Sequence, residues 1–262
     1  TMFRFESFGS GSSGNMYYLE SDEGAILIDA GVGIRKTRKY FREYGIKLCN
    51  IKGILVTHNH MDHVRSLGIL NQKDGLPTYL TKPTHMGINE NPAIKKCPVS
   101  ERTFYIEKQR PFHLAGFTIC AFEVPHDSRD NVGYFISYQG TTFCLVTDCG
   151  VVTDTIDSYI ANADYLVLES NYDSEMLEQG PYPKKLKQRI SNGTGHLSNL
   201  LAAHAIERHQ HHLKHVWLCH LSENNNTPEH ALSTIKETLD LARHDCIEAL
   251  DRIKPSKLFE LK

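Results

Sequence analysis

The chemistry of this chain is most concentrated in six residues, His58-Asn59-His60-Met61-Asp62-His63. His58 and His60 alternate, Asp62 and His63 are adjacent, and the side chains can therefore fan out around one point. Imidazole nitrogen and carboxylate oxygen suit Zn and its first-row neighbours, whereas Mg or Ca sites are dominated by oxygen donors. Four donors within six residues exceed what one tetrahedral ion takes from a single loop. Two divalent ions are expected, Zn or Mn foremost, with Fe also compatible. A solvated polar turn is the competing explanation, and the rest of the chain weakens it. His126 follows the apolar run Phe117–Val124, Asp148 follows Phe143–Thr147, and His220 follows Val216–Cys219. Each is a ligand-type residue at the carboxyl end of a strand pattern, where open α/β architectures place their sites.

These positions need a framework of strands. Phe3–Phe8, Met16–Glu20 and Ala25–Asp29 are short apolar runs broken by turn signals, and Ile51–Thr57 is a buried strand that feeds the motif directly. Further strands are expected at Thr78–Leu80, Phe117–Val124, Gly133–Tyr138, Thr141–Thr147, Tyr165–Leu168 and His215–Cys219, with Gln139-Gly140 as a hairpin turn. Helical patterns cover Ile34–Tyr44, Leu197–His209 and Pro228–Ala242. No internal repeat or linker is evident, so residues 1–262 are expected to form one domain.

The order His-x-His-x-Asp-His, then a distant His, an Asp and a last His, resembles the metallo-β-lactamase superfamily. That resemblance implies an α/β (α+β in some schemes) four-layer αββα sandwich of two mixed sheets with helices outside. It also implies that His58, His60 and His126 hold one metal, that Asp62, His63 and His220 hold the second, and that Asp148 bridges them. Asp29, closing Ile26-Leu27-Ile28-Asp29, matches the superfamily's structural aspartate, which orients ligands from behind; a plain turn residue is the other reading.

Two metals about 3.5–4 Å apart can activate a shared water and clamp the oxygens of a displacement, and this serves lactams, thioesters and phosphodiesters alike. A phosphodiester's alkoxide is a poor leaving group and benefits from a positioned acid. Glu169, ending Tyr165–Leu168, and His196, in Gly195-His196-Leu197-Ser198, both lie between Asp148 and His220. In the superfamily's nucleases, RNase Z and the β-CASP enzymes, an acid at such a strand end orients a leaving-group His. A carboxylate partner would raise the pKa of that imidazole and fix its tautomer.

Phe8-Gly9-Ser10-Gly11-Ser12-Ser13-Gly14-Asn15, Gly195-His196-Leu197-Ser198-Asn199 and His220-Leu221-Ser222-Glu223-Asn224-Asn225 make the chain similar to the bacterial YycJ/WalJ-like nucleases over nearly its whole length. The resemblance implies a 5′-to-3′ DNA exonuclease without a β-CASP insertion. It further implies a hydroxide shared by the two metals as nucleophile, Asp62, His196 and Glu169 as catalytic residues, and DNA as partner. Ser12 and Asn15 of the Gly/Ser loop, Ser198, Ser222 and Asn224, and Lys184 and Lys185 of the densest basic run are candidates for holding the substrate; a hairpin turn and a solvated face are the alternative readings of the loop and the run.

Composition narrows the rest. With 29 Lys and Arg against 31 Asp and Glu, the net charge of −2 provides no global field for nucleic acid, so any polyanion site must be local. Seven cysteines without a Cys-x-x-Cys pair are expected to be reduced and buried, which fits a cytoplasmic protein. No apolar stretch approaches the roughly 18 residues of a bilayer span, and the N-terminal residues lack a signal pattern. His209, His211, His212 and His215 read as a surface patch without carboxylate partners rather than a second metal site. Rival functions are a glyoxalase II-type thioesterase or lactonase sharing all seven ligands, and a non-catalytic metal-binding scaffold associated with DNA.

Overall fold

The computed structural model describes all residues 1–262. Two seven-stranded mixed sheets lie face to face with helices outside, the expected αββα sandwich. The first sheet is built from β1 (Phe3–Gly9), β2 (Met16–Ser21), β3 (Gly24–Ile28), β4 (Ile51–Leu55), β5 (Thr78–Leu80) and β6 (Thr103–Tyr105). The second contains β7 (Phe112–Leu114), β8 (Phe117–Glu123), β9 (Val132–Tyr138), β10 (Thr141–Val146), β11 (Tyr165–Glu169), β12 (His215–Cys219) and β13 (Ile247–Ala249). A last strand, β14 (Phe259–Glu260), returns to pair with β1 in the first sheet.

Alternation in the strands builds the layers. Phe5, Tyr17, Ile28, Tyr134, Phe143, Val167 and Trp217 turn inward and form the core between the sheets. The opposite faces carry Leu27, Ile54 and Val56 on one sheet and Cys144, Leu166 and Leu218 on the other. The first face lies under α1 (Ile34–Glu43), α2 (Met61–Val64), α3 (Leu67–Gln72) and α4 (Lys82–Glu90). The second half carries α5 (Asp154–Ala161), α6 (Ser174–Gln179), α7 (Lys184–Ser191), α8 (Asn199–His209) and α9 (Pro228–Thr238). Of these, α5, α8 and α9 pack on the second sheet through Ile156, Ala202, Ile206 and Ile235, whereas α7 buries no residue.

Several boundaries differ from the sequence expectation for local reasons. The helix expected from Leu197 starts at Asn199 because the Ser198 hydroxyl caps it, accepting the Leu201 N–H at 3.1 Å. The helix expected to reach Ala242 stops at Thr238 and continues after Asp240 as a 3₁₀ turn over Leu241–Cys246. The cysteines are all free, but only Cys144, Cys149 and Cys219 are buried, and Cys49 is exposed. The histidine patch does have carboxylate partners. His209 meets Asp157 at 3.0 Å and His215 meets Glu248 at 2.7 Å, each ring with its own acid and without a common centre.

Candidate active site

Strand ends from both sheets meet at one edge of the sandwich. From the first sheet, Asp29 follows β3 and the stretch Val56-Thr57-His58 leads out of β4 into α2, which carries Asp62 and His63. From the second, His126 follows β8, and the parallel neighbours β10, β11 and β12 present Asp148, Glu169 and His220 side by side. Hydrogen bonds tie the sheets together beneath the cluster. Tyr134 donates its hydroxyl to the Val56 carbonyl at 2.6 Å, and the Val132 N–H reaches the Thr57 carbonyl at 3.0 Å.

Asp29, Asp148 and His220 all take left-handed backbone conformations, with φ of 64°, 52° and 55°. Such angles cost a non-glycine residue on the order of 1–3 kcal/mol and persist where the surroundings over-determine them. They fall where each strand ends and the chain turns away, at the residues whose own side chains enter or support the cluster. Gly31 serves the same geometry by absence, since a Cβ there would collide with the Asp62 carbonyl.

The structure brings together all seven residues that the resemblance implied as ligands. His58, His60 and His126 form one group of converging donors, Asp62, His63 and His220 another, and Asp148 lies between them, with donor atoms within 4.8 Å of one another in each group. Asp148 Oδ2 is 2.7 Å from His63 Nε2 and 3.7 Å from His58 Nε2. Its Oδ1 is 3.5 Å from His126 and 3.8 Å from His220.

The hydrogen bonds behind these rings fit them to a cation. Asp29 is wholly buried; its Oδ1 accepts the Thr57 N–H at 2.8 Å, while Oδ2 accepts the Thr57 hydroxyl at 2.8 Å and His63 Nδ1–H at 2.6 Å. Having given its one proton to Asp29, the Thr57 hydroxyl can only accept from His58 Nδ1–H, 2.9 Å away. His126 donates Nδ1–H to the Gly195 carbonyl at 2.8 Å. Each of these three rings therefore presents a bare Nε2 lone pair to the centre, and that of His58 is buried without a hydrogen-bond partner. An orphaned buried nitrogen aimed into an acid-rich cluster is chemically matched to a metal ion.

Electrostatics agree. Burial holds His58 and His60 below the ordinary histidine range, so both stay neutral as ligands must be. Burial also opposes charge on His63, but Asp62, Asp148 and Asp29 outweigh it and push its pKa up, marking the centre of the cluster as a place that calls for the positive charge a cation would supply. Burial likewise works against the charges of Asp62 and Asp148, and the surrounding imidazoles still keep both carboxyls well below their usual range.

Beside this cluster, Glu169 is fully buried and accepts from the Cys149 N–H at 3.0 Å and the Leu197 N–H at 3.2 Å. Its Oε1 lies 2.7 Å from His196 Nδ1. Burial pulls the His196 pKa down, but the Glu169 carboxylate overrides it and raises the ring above its ordinary value. His196 stacks on His220 at 5.3 Å and opens into a cavity of about 350 Å³ that also reaches His60, His126 and His220.

Of the candidate substrate residues, Ser12, Ser222 and Asn224 line this cavity. Asn15 does not. It is buried beneath the motif, where its side-chain amide donates to the Gly11 carbonyl at 2.9 Å and to Asp62 at 3.2 Å. Ser198 is the buried helix cap described above, and Lys184 and Lys185 are exposed on α7 outside the cavity wall, which α7 supplies through Leu186, Arg189 and Ile190. Thr57, Gly195 and Asn171, whose side-chain amide lies 3.3 Å from His220 Nδ1 and donates to the His220 carbonyl at 2.7 Å, are supports of the histidines that nothing in their types or spacing distinguishes from ordinary strand-end and loop residues.

An αββα sandwich with a His/Asp cluster across its strand ends defines a class, the metal-dependent hydrolases of the metallo-β-lactamase fold. The model of the Beta-lactamase superfamily domain matches residues 25–221, and the chain belongs to that superfamily. It is 34% identical over 238 residues to exodeoxyribonuclease YycJ of Bacillus anthracis, spanning 90% of this chain and 89% of that one. It is also 34% identical over 239 residues to exodeoxyribonuclease WalJ of Streptococcus pneumoniae, spanning 90% and 88%. Among solved structures, the metallo-β-lactamase fold protein YhfI from Bacillus subtilis superposes with a TM-score of 0.75 at 17% identity, over 99% of this chain and 100% of that one. That likeness concerns the fold. No helix is long and apolar enough to cross a membrane.

Proposed function

We propose that the chain is a phosphodiesterase that degrades DNA as an exonuclease in the 5′-to-3′ direction, dependent on two divalent ions, Zn or Mn. The observation that carries this reading is the buried Glu169 carboxylate 2.7 Å from His196 on the floor of the same cavity as the ligand cluster. The names of the two 34%-identical relatives support DNA as the substrate. His58, His60 and His126 would hold one ion and Asp62, His63 and His220 the other, with Asp148 between them. Bound there, the ions supply Lewis acidity to the phosphate and lower the pKa of the attacking water.

The chain's own groups do the rest. Water adds its oxygen to phosphorus and the P–O3′ bond breaks. Asp62, the cluster carboxylate that reaches furthest toward solvent, takes the proton the water loses. His196 gives a proton from Nε2 to the departing O3′, while Glu169 holds Nδ1–H and stabilises the charged ring until then. Ser12, Ser222 and Asn224, which line the cavity, would donate to phosphate or sugar oxygens. End-labelled single- and double-stranded DNA, with RNA as control, in Mn and Zn buffers tests this. Mononucleotides released from the 5′ end are expected. No cleavage of DNA in either metal, or full activity in His196→Ala, overturns the reading.

A further inference from the structure

Helix α7 is exposed and basic on most of its surface, yet Leu186 and Ile190, four residues apart on it, both face the cavity, as does Tyr182 in the turn just before the helix. None of the helix's residues is buried, so this stripe has no core to pack on. The segment is nevertheless held in place around the site. Asn224 donates to the Tyr182 hydroxyl at 2.9 Å across the cavity mouth, and Arg189 pairs with Asp127 at 2.6 Å on the rim. At the other end, the His196 N–H reaches the Ile190 carbonyl at 2.8 Å, and a Cβ on Gly195 would collide with the Arg189 and Ile190 carbonyls. The apolar stripe is thus anchored directly to the residue that bears the leaving-group proton.

We propose that Tyr182, Leu186 and Ile190 form the wall that receives the nucleobase of the departing nucleotide. This rests on the nuclease reading and deepens it. The departing nucleotide must lie on the His196 side of the scissile phosphate, and α7 is the surface there. An aromatic and two aliphatic side chains offer a base a flat apolar contact without reading its hydrogen-bonding edge. The cavity, about 350 Å³, is on the scale of a single nucleotide. The wall therefore makes cleavage tolerant of sequence but dependent on the presence of a base.

The test compares single-stranded DNA ending in 5′-thymidine with the same strand ending in a 5′-tetrahydrofuran abasic nucleotide, using metal-loaded protein. Wild type is expected to prefer the base-bearing strand by about tenfold in kcat/KM, the scale of one base contact. Leu186→Ser combined with Ile190→Ser is expected to bring the ratio close to one at unchanged metal content. Leu241→Ser, at a site 83% exposed and on another face, keeps it at the wild-type value. A wild-type ratio near one, or a double variant that keeps the preference, overturns the base wall even if DNA is cleaved. No cleavage of either strand by wild type overturns the nuclease reading itself.

Discussion

His196 Nδ1 sits 2.7 Å from Glu169 Oε1, and Glu169 has no exposed surface at all while His196 remains open to the cavity. One partner is fixed and the other is free to exchange protons with what enters. A general acid matters in proportion to how poor the leaving group is. His196→Ala is therefore expected to lower kcat on DNA by roughly 10²–10⁴-fold, the usual contribution of such a group. It should have little effect on a p-nitrophenyl phosphodiester, whose phenolate needs no proton. Equal losses on both substrates would assign His196 a supporting role instead.

The same pair sets a pH limit. Burial lowers the His196 pKa and Glu169 more than restores it, so the folded value lies above the ordinary histidine range. Activity needs the protonated ring, and is expected to persist below that raised pKa and to fall as pH rises through it. In Glu169→Gln the carboxylate charge is gone and burial is unopposed, so the alkaline limb of kcat on DNA should move to lower pH. A limb that stays in place in Glu169→Gln would contradict the pairing.

Asp29 holds His63 and, through the Thr57 hydroxyl, the tautomer of His58. Asp29→Asn replaces an acceptor with an amide that can present N–H toward His63 Nδ1–H, turning an attraction into a donor–donor clash. Metal affinity is expected to fall by about 10–100-fold, the usual cost of losing such a support. Titration against a competing chelator measures this directly. Unchanged affinity would mean that the rings are oriented by packing alone.

Much of this site could be read in the sequence because the ligands follow apolar runs, and an apolar strand that ends abruptly in His or Asp marks a sheet edge. The runs before His126, Asp148 and His220 are long enough and apolar enough to stand out as buried strands. β6, β7, β13 and β14 are two or three residues long and owe their existence to neighbours distant in sequence. Asn15 shows the opposite failure. A Gly/Ser loop ending in Asn reads as a phosphate cradle, but its amide is spent on Gly11 and Asp62, and only the fold places Asp62 above it. Helix α7 escaped notice because its apolar face packs on no core and so leaves a pattern too short to separate from a basic loop.

The convergent cluster also predicts how the protein responds to losing its ions. Asp62 and Asp148 are deprotonated, and the bare Nε2 of His58 is buried without a partner. A ligand that binds only the folded chain stabilises it by mass action, about 4 kcal/mol at a thousandfold excess over its dissociation constant. Chelation should lower Tm by several degrees, and Zn or Mn should restore it. A Tm indifferent to both would mean the cluster is self-sufficient.

Glu6 gives a stability prediction independent of the site. In β1 it alternates with Phe5 and Ser7 and reads as an outward residue, yet it is buried beside Tyr18 on the face that also carries Phe8, and its Oε2 has no partner. Burial, with Glu20 adding repulsion, pushes its carboxyl up to about 7. The folded state therefore holds this proton at pH values where the unfolded chain, near 4.5, has released it. Stability is full below the unfolded value, declines as pH rises toward 7, and stays reduced above it. Glu6→Gln keeps the shape and removes the charge. Its Tm should exceed that of wild type at pH 8 and match it at pH 4, and a Tm difference that does not change with pH would show that Glu6 is hydrated and titrates normally.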